Sequence, residues 1–417
     1  SNDGHGLSSP NAQSIIQDSF GNIWIGNYRG GIDFISHTQP LFNTITYKTE
    51  KYGHNCNKQV WGLWADNNRQ IWLGGEGELG IYKEGKEIEI IPLNQCRLNK
   101  QTHISVIHQD KHGDLWLGTH KHGVAIYHPD TKRITCIGDD KDGSLDILCF
   151  YEDTDGKIWI GTQSGLYSAY NRELTQEDKI NRLLTNKGIR SILKDKNGKL
   201  WIGAKGLFLF DDKGQLFQEL TTEQSFPIRS VNYLMEDSRK RIWVGTNDGI
   251  LVFRDASHLE DYSHYGTKEG LQNTNVRAIQ EDHDGTIWLS TNAGISRLGE
   301  KTKTFYNYNH YDGVPMGDFM DGSTCISTDG ILYFGSQGGA CYFTPGEVNS
   351  IRKPAPVTIT QFSIYDKQTE SKDTEHPLPL TDANIQLPYN QNTFKISFNV
   401  LDYAISSQVE FSYILEG

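Results

Sequence analysis

EDTDGKIWIGTQSGLYSAY, Glu152–Tyr170, decides the fold through its recurrence. Taken alone it fits a calcium-like D-x-D-G loop, an amphipathic fragment or one hairpin of something larger. Its core returns as QDSFGNIWIG at Trp24, ADNNRQIWLG at Trp72, QDKHGDLWLG at Trp116, KDKNGKLWIG at Trp201, EDSRKRIWVG at Trp243 and EDHDGTIWLS at Trp288. An eighth copy, STDGILYFGSQGG, puts Tyr333 in the tryptophan slot. Successive aromatics are 48, 44, 43, 42, 42, 45 and 45 residues apart. That period accommodates four short strands with their turns, which is one blade of a β-propeller.

Each unit also reads locally as β structure. Over residues 187–220, SILKD, KLWIG, GLFLFD and GQLFQEL are four apolar-rich runs, with KNG and AKG as turns between the first three. The Asn or Asp before the turn glycine is expected to supply the positive φ of a tight hairpin. The Asp three residues before that glycine, Asp195 in this unit, is expected to accept hydrogen bonds from the turn amides. The tryptophan is expected to be buried between neighbouring blades. The D-x-D-G of the opening stretch therefore reads as a hairpin turn, because a calcium loop needs further oxygen ligands and a distal Glu at fixed offset.

Composition bounds the remainder. The chain has 417 residues, with 42 Gly, 20 Tyr, 17 Phe and 9 Trp, as suits a turn-rich, aromatic-packed all-β protein with room for a second domain. A net charge of −12 without a basic run disfavours nucleic acid and anionic membrane surfaces as partners. No run of about 20 apolar residues exists, and SNDGHGLSSP lacks the features of a signal peptide, so a membrane is expected only through a helix absent from this chain. Cys56, Cys96, Cys136, Cys149, Cys325 and Cys341 show no CxxC spacing, which removes zinc-ribbon and redox motifs. Cys325 and Cys341, on the first and third strands of one blade, are expected about 9 to 10 Å apart and unpaired. No cofactor or metal is expected.

The pattern changes near Thr344. TPGEVNSIRKPAPV reads as a hinge, and TITQFSIYD, NIQLPYNQNTFKISFNVLDYAIS and VEFSYILEG read as the start of a small antiparallel sandwich. The expected organisation is a blade-like repeat over 1–40, a seven-bladed propeller over 41–348, and a hinge with an incomplete immunoglobulin-like β-sandwich over 349–417. An eight-bladed closed ring is the alternative count.

The D-x-x-G-x-I-W-I-G-T-x-x-G-L unit resembles the two-component regulator propeller repeat, and NTFKISFNVLDYAISSQVEFSYILEG, with Tyr403 and Tyr413, resembles the Y_Y_Y domain. Together, in that order, they are similar to the periplasmic sensor region of Bacteroidetes hybrid two-component systems. The resemblance implies two seven-bladed propellers ahead of the Y_Y_Y domain, then a membrane helix and a cytoplasmic histidine kinase. It makes GNYRGGIDF, at Gly26–Phe34, the last blade of a first propeller. It further implies a homodimeric receptor without catalysis, whose ligand is an oligosaccharide controlling polysaccharide-utilisation genes.

In a propeller the loops from second to third strand, and those into the next blade, open on one face, with the D-x-x-G turns on the other. Unlike residues at equivalent loop positions are where specificity can be written. Candidates are Tyr28, Arg29, His120 and His122 in the loops and His103 beside them. Five residues before the repeat Asp, near the top of the axial strand, stand Trp61, Arg190, Asn232 and Arg277 as candidates, with Ser105 and Leu148 in the equivalent slots. The alternative for each is solvated loop surface. His103, His120 and His122 also invite a three-imidazole zinc reading, set against polar loop histidines. Trp61 and Trp64 offer faces to sugar rings, but strand alternation cannot put both on one edge without a bulge, so at least one is expected to be buried in blade packing.

Two rival functions are a purely structural interaction propeller, which the Y_Y_Y-like segment argues against, and a propeller enzyme, either a polysaccharide-acting lyase or one like the streptogramin lyases, whose D-x-x-G-x-I-W units the repeat resembles. No distinctive acid/base constellation supports the enzyme.

Overall fold

Seven four-stranded antiparallel sheets follow one another in the computed structural model of the chain, one for each repeat from Trp72 to Tyr333. The structure describes residues 7–349 apart from 37–39, 47, 52–53, 58, 96–97, 138–144, 171–172, 177–183, 185–186, 212–213 and 223–225, and then 357–364, 374–376, 394–400 and 414.

Blade 1 consists of Gly62–Ala65, Ile71–Gly74, Glu78–Tyr82 and Glu89–Pro92, each strand paired with the next. The first strands of successive blades are Ile104–Gln109, Ile147–Glu152, Ser191–Lys194, Val231–Glu236, Val276–Glu281 and Phe319–Ile326. Each touches its predecessor, and the last touches the first, so these strands surround a common axis. Blade 7 takes its outer strand from far upstream. Asn43–Ile45, which precedes blade 1 in sequence, pairs with Gly339–Phe343. That closure fixes the ring at seven blades and rules out an eight-bladed ring. The N-terminal repeat forms its own three-stranded sheet of Ala12–Gln17, Ile23–Asn27 and Gly31–Ile35.

Seven apolar clusters fill the seven blade interfaces. Trp201, for example, packs with Val231, Leu234 and Val244 of the following blade, and Tyr333 packs with Val60, Leu63 and Leu73 across the closure. Trp72, Trp116, Trp201, Trp243, Trp288 and Tyr333 are buried as expected. Trp24 and Trp159 depart from that expectation, since both are only half-buried. The glycine two residues after the tryptophan is where the next axial strand passes. A Cβ on Gly203 would lie 2.5 Å from Val231 Cγ1, and one on Gly335 would lie 2.4 Å from the Val60 carbonyl oxygen.

In five of the seven blades an Asp–Trp clamp ties the turn to the interface behind it. In blade 4 one carboxylate oxygen of Asp195 accepts from the amides of Asn197 and Lys199, both at 2.9 Å, and the other from Trp201 Nε1 at 2.9 Å. The same indole bond joins Trp72 to Asp66, Trp116 to Asp110, Trp243 to Asp237 and Trp288 to Asp282. The positive φ belongs to the glycine itself, as at Gly198 (φ 78), and not to the Asn or Asp before it. Arg69 and Lys240 take that left-handed position in blades 1 and 5.

Blade 3, which holds the deciding stretch, is the exception. Lys194 from blade 4 approaches Asp153 to 2.7 Å, the Lys157 amide bonds to Asp155 instead, and Trp159 Nε1 is buried with no hydrogen-bond partner among the described residues. Lys157 Nζ sits 3.8 Å from the centre of the Trp159 ring system.

Two compact units are distinguished, Leu41–Asn349 and a second that gathers Ser1–Pro40 with Ser350–Gly417. In the second, Val357–Ile364 lies between Thr374–His376 and Phe394–Val400 in a three-stranded antiparallel sheet. Tyr403, Tyr413 and the expected hinge residues 350–356 lie outside the described residues. Among the described residues Cys149, Cys325 and Cys341 are free thiols, and burial pushes Cys149 up to about 12.

Candidate functional site

Every axial strand starts with a local irregularity on the face opposite the D-x-x-G turns. In blades 2, 3, 5 and 6 one extra residue interrupts the pairing register, and it is Ser105, Leu148, Asn232 or Arg277. In blades 1 and 4 the amides of Trp61 and Arg190 donate to the carbonyls of Gly74 and Gly203, which also face Gly62 and Ser191. A bulge turns a side chain away from its strand's alternation. Here the repeated bulge supplies seven blades with a residue at the axial mouth. Trp61 and Trp64 both line the axial cavity, and Trp64 also packs against the apolar cluster between blades 1 and 2, as expected of one of the pair.

That cavity measures about 450 Å³. Trp61, Ser105, Leu148, Arg190 and Asp321 are among its lining residues, as are Trp64, His108, Tyr151, Lys194 and Glu236. The mouth is divided: blades 1 to 3 offer an aromatic, a small hydroxyl and an aliphatic side chain, and blades 4 to 7 offer charged and amide groups.

The charged half is tightly organised. Arg190 Nη1 donates to Asn232 Oδ1 at 3.2 Å and to Asp321 Oδ2 at 3.2 Å. Arg277 Nη1 donates to Asp321 Oδ1 at 2.7 Å and its Nε to Asn292 Oδ1 at 2.6 Å. Asn232 is completely buried, and its amide nitrogen contacts Asn247 Oδ1 at 2.7 Å, Asn275 Oδ1 at 3.2 Å and the Val276 carbonyl at 2.8 Å. Asn232 thus holds Arg190 in place from beneath.

Counting along the sequence misses Asp321. Between Phe319 and Thr324 the axial strand of blade 7 advances five residues while its partner advances two, from Ser336 to Phe334. Asp321 sits on this larger bulge, six residues before Ser327, which takes the repeat Asp position. The slot five residues before it holds Gly322.

The histidines form a separate patch on the same face. Trp61 and His103 are 6.3 Å apart by ring centroids, and His103 and His120 are 6.4 Å apart. His120 Nδ1 lies 2.9 Å from Asp146, and His103 Nε2 lies 3.8 Å from Glu76. His122 turns to the backbone, with Nδ1 3.0 Å from the His120 carbonyl oxygen. Among the described residues, no three His, Cys, Asp or Glu side chains form a metal-holding group. Tyr28 and Arg29 belong to the other unit. Both are exposed on the turn of the N-terminal sheet, with the Arg29 guanidinium 5.3 Å from the Tyr28 ring. Deeper in the axis, burial lowers the pKa of His108 although its Nε2 is 3.1 Å from Glu152.

Five stretches, residues 6–29, 143–164, 183–206, 225–248 and 270–293, match the two-component regulator propeller family. The chain carries two-component regulator propeller repeats. It is homologous to extracellular sensor domains of hybrid two-component systems: one such domain from B. thetaiotaomicron is 34% identical, with a TM-score of 0.80 over 98% of this chain and 55% of that one. Histidine kinase P4 of Formosa agariphila is 26% identical over 333 residues, 75% of this chain and 21% of the kinase. This two-component regulator propeller therefore spans about half the length of the solved relative and about a fifth of the curated one. A virginiamycin B lyase from Staphylococcus aureus shares the fold alone, at 12% identity and a TM-score of 0.57 over 73% of this chain and 99% of the lyase. Among the described residues, no helix is long and apolar enough to cross a membrane.

Proposed function

We propose that this propeller is part of the periplasmic ligand-sensing region of a hybrid two-component sensor, and that its signal is an oligosaccharide bound at the axial mouth. The observation that carries the reading is the division of that mouth. The irregular starts of the axial strands present Trp61 and Leu148 on one side and Arg190, Arg277 and Asp321 on the other, above a cavity of about 450 Å³. Sugars present both apolar faces and hydroxyl rims, and a pocket with an aromatic wall and convergent polar groups suits them. On this reading the region does no chemistry. Residues 349–417 are a hinge leading into a Y_Y_Y sandwich, and the receptor works as a homodimer that adjusts polysaccharide-utilisation genes. Blades packed on both sides are stiff, so ligand acts by favouring one placement of the flanking domains over another.

Calorimetry of the intact ectodomain against a panel of glycan fragments tests the reading. A saturable ligand recovered unchanged, with affinity lowered by Trp61→Ala, supports a receptor. Cleavage of that ligand, abolished by His103→Ala or His120→Ala, refutes it in favour of a lyase.

A further inference from the structure

We infer that the axial mouth receives an acidic oligosaccharide, its carboxylate or sulfate ester held between Arg190 and Arg277 in the position that Asp321 fills. The inference rests on the receptor reading above and adds the ligand's charge and the residues that read it.

Two guanidinium groups converge on one carboxylate, each on a different oxygen. The space between them is shaped for an oxyanion. Guanidinium forks match planar carboxylates and the oxygens of tetrahedral anions better than they match hydroxyls. Each arginine makes two hydrogen bonds here, so three of its five N–H donors have no protein acceptor among the described residues. The mouth also carries two positive groups against one negative, in a chain whose net charge is −12.

Each arginine has a protein partner besides Asp321, whereas Asp321 has none besides the arginines among the described residues. Arg190 is held by the buried Asn232, and Arg277 by Asn292. Asp321 has no hydrogen-bond partner besides the two arginines among the described residues, its side chain is 37% exposed, and it stands on the enlarged bulge next to Gly322 at φ 68. Asp321 can therefore swing away while Asn232 and Asn292 still hold the arginines at the mouth. Preorganised donors lower the cost of binding. A tethered carboxylate competes with any external anion, and a neutral sugar has nothing with which to displace it. Asp321 thus sets both the threshold for binding and the preference for acidic ligands.

The test is calorimetry on this chain with D-galacturonate, inorganic sulfate and D-galactose as probes, at constant ionic strength. Asp321→Asn keeps the shape and removes the competing charge. It should raise affinity for galacturonate, for sulfate or for both by about tenfold, a modest effective concentration for a tethered competitor, and leave galactose unchanged. Galacturonate and sulfate separate the two possible anionic groups. Adding Arg277→Gln to Asp321→Asn should abolish the gain, with circular dichroism confirming that both variants are folded. The inference is overturned if Asp321→Asn binds neither anion, if it binds them no better than the parent chain, or if the gain survives loss of Arg277. A neutral oligosaccharide whose affinity is untouched by Arg190→Gln and Arg277→Gln overturns it too, yet leaves the receptor reading standing. Failure of every saccharide, neutral or acidic, to bind the intact ectodomain defeats the receptor reading itself.

Discussion

Asp195→Asn measures what the Asp–Trp clamp contributes to a blade. Asparagine preserves the volume of the side chain but turns one acceptor oxygen into a donor. If the new amide nitrogen faces Trp201, two donors meet and the indole N–H, on a side chain with no exposed surface, loses its acceptor. If the group flips, the amides of Asn197 and Lys199 lose theirs. A hydrogen bond to a charged group contributes about 1.5–3 kcal/mol, and a buried donor left unpaired costs about 1–3 kcal/mol. The expected loss is therefore about 2–4 kcal/mol. Blade 3 provides the control. Asp153 is 7% exposed and pairs at 2.7 Å with Lys194, 32% exposed, whose flexible ammonium can turn to water when the charge is removed, so no buried donor is stranded. Asp153→Asn should cost about 1 kcal/mol or less. Urea unfolding followed by tryptophan fluorescence, with midpoints compared at matched slopes, gives both numbers. Equal losses within about 0.5 kcal/mol, or the reverse order, would refute the clamp as a source of stability.

Lys240 holds a left-handed backbone (φ 67) where Gly113, Gly156, Gly198 and Gly285 stand in other blades. Lys240→Gly should raise stability by about 0.5–1 kcal/mol, and Lys240→Ala should not, as thermal melts can show. Ser290 has a buried hydroxyl with no hydrogen-bond partner among the described residues, so Ser290→Ala should stabilise by about 1 kcal/mol, and a loss in the same melts would contradict that reading. His108 is pushed down chiefly by burial. The folded state therefore binds this proton less readily than the unfolded state, and the stability from neutral His108 is complete above about pH 6.5 and lost as pH falls below it. His108→Gln should flatten the stability profile below that pH, and an unchanged slope would show that other groups set it.

How much of this protein its sequence determines depends on the distance over which each contact acts. The blade repeat, the D-x-x-G turn and the Asp195–Trp201 pairing all arise within a few residues of one hairpin, and each leaves a local signature. So do Arg190 and Arg277, whose slots keep a constant offset from the repeat Asp. Other features belong to the closed ring. Whether seven or eight repeats form one circle was settled by Asn43–Ile45 pairing with Gly339–Phe343, a contact between distant segments that no period encodes. Trp159 lacks the clamp bond among the described residues, and Asp153 pairs instead with Lys194 of the neighbouring blade. Asp321 escaped the count because its strand carries a longer bulge than the others, and only curvature around a shared axis brings it between two arginines that lie 131 and 44 residues away in sequence. Local hydrogen bonding and hydrophobic alternation specify the blade. The mouth exists because strands with little sequence proximity converge where the ring closes on itself.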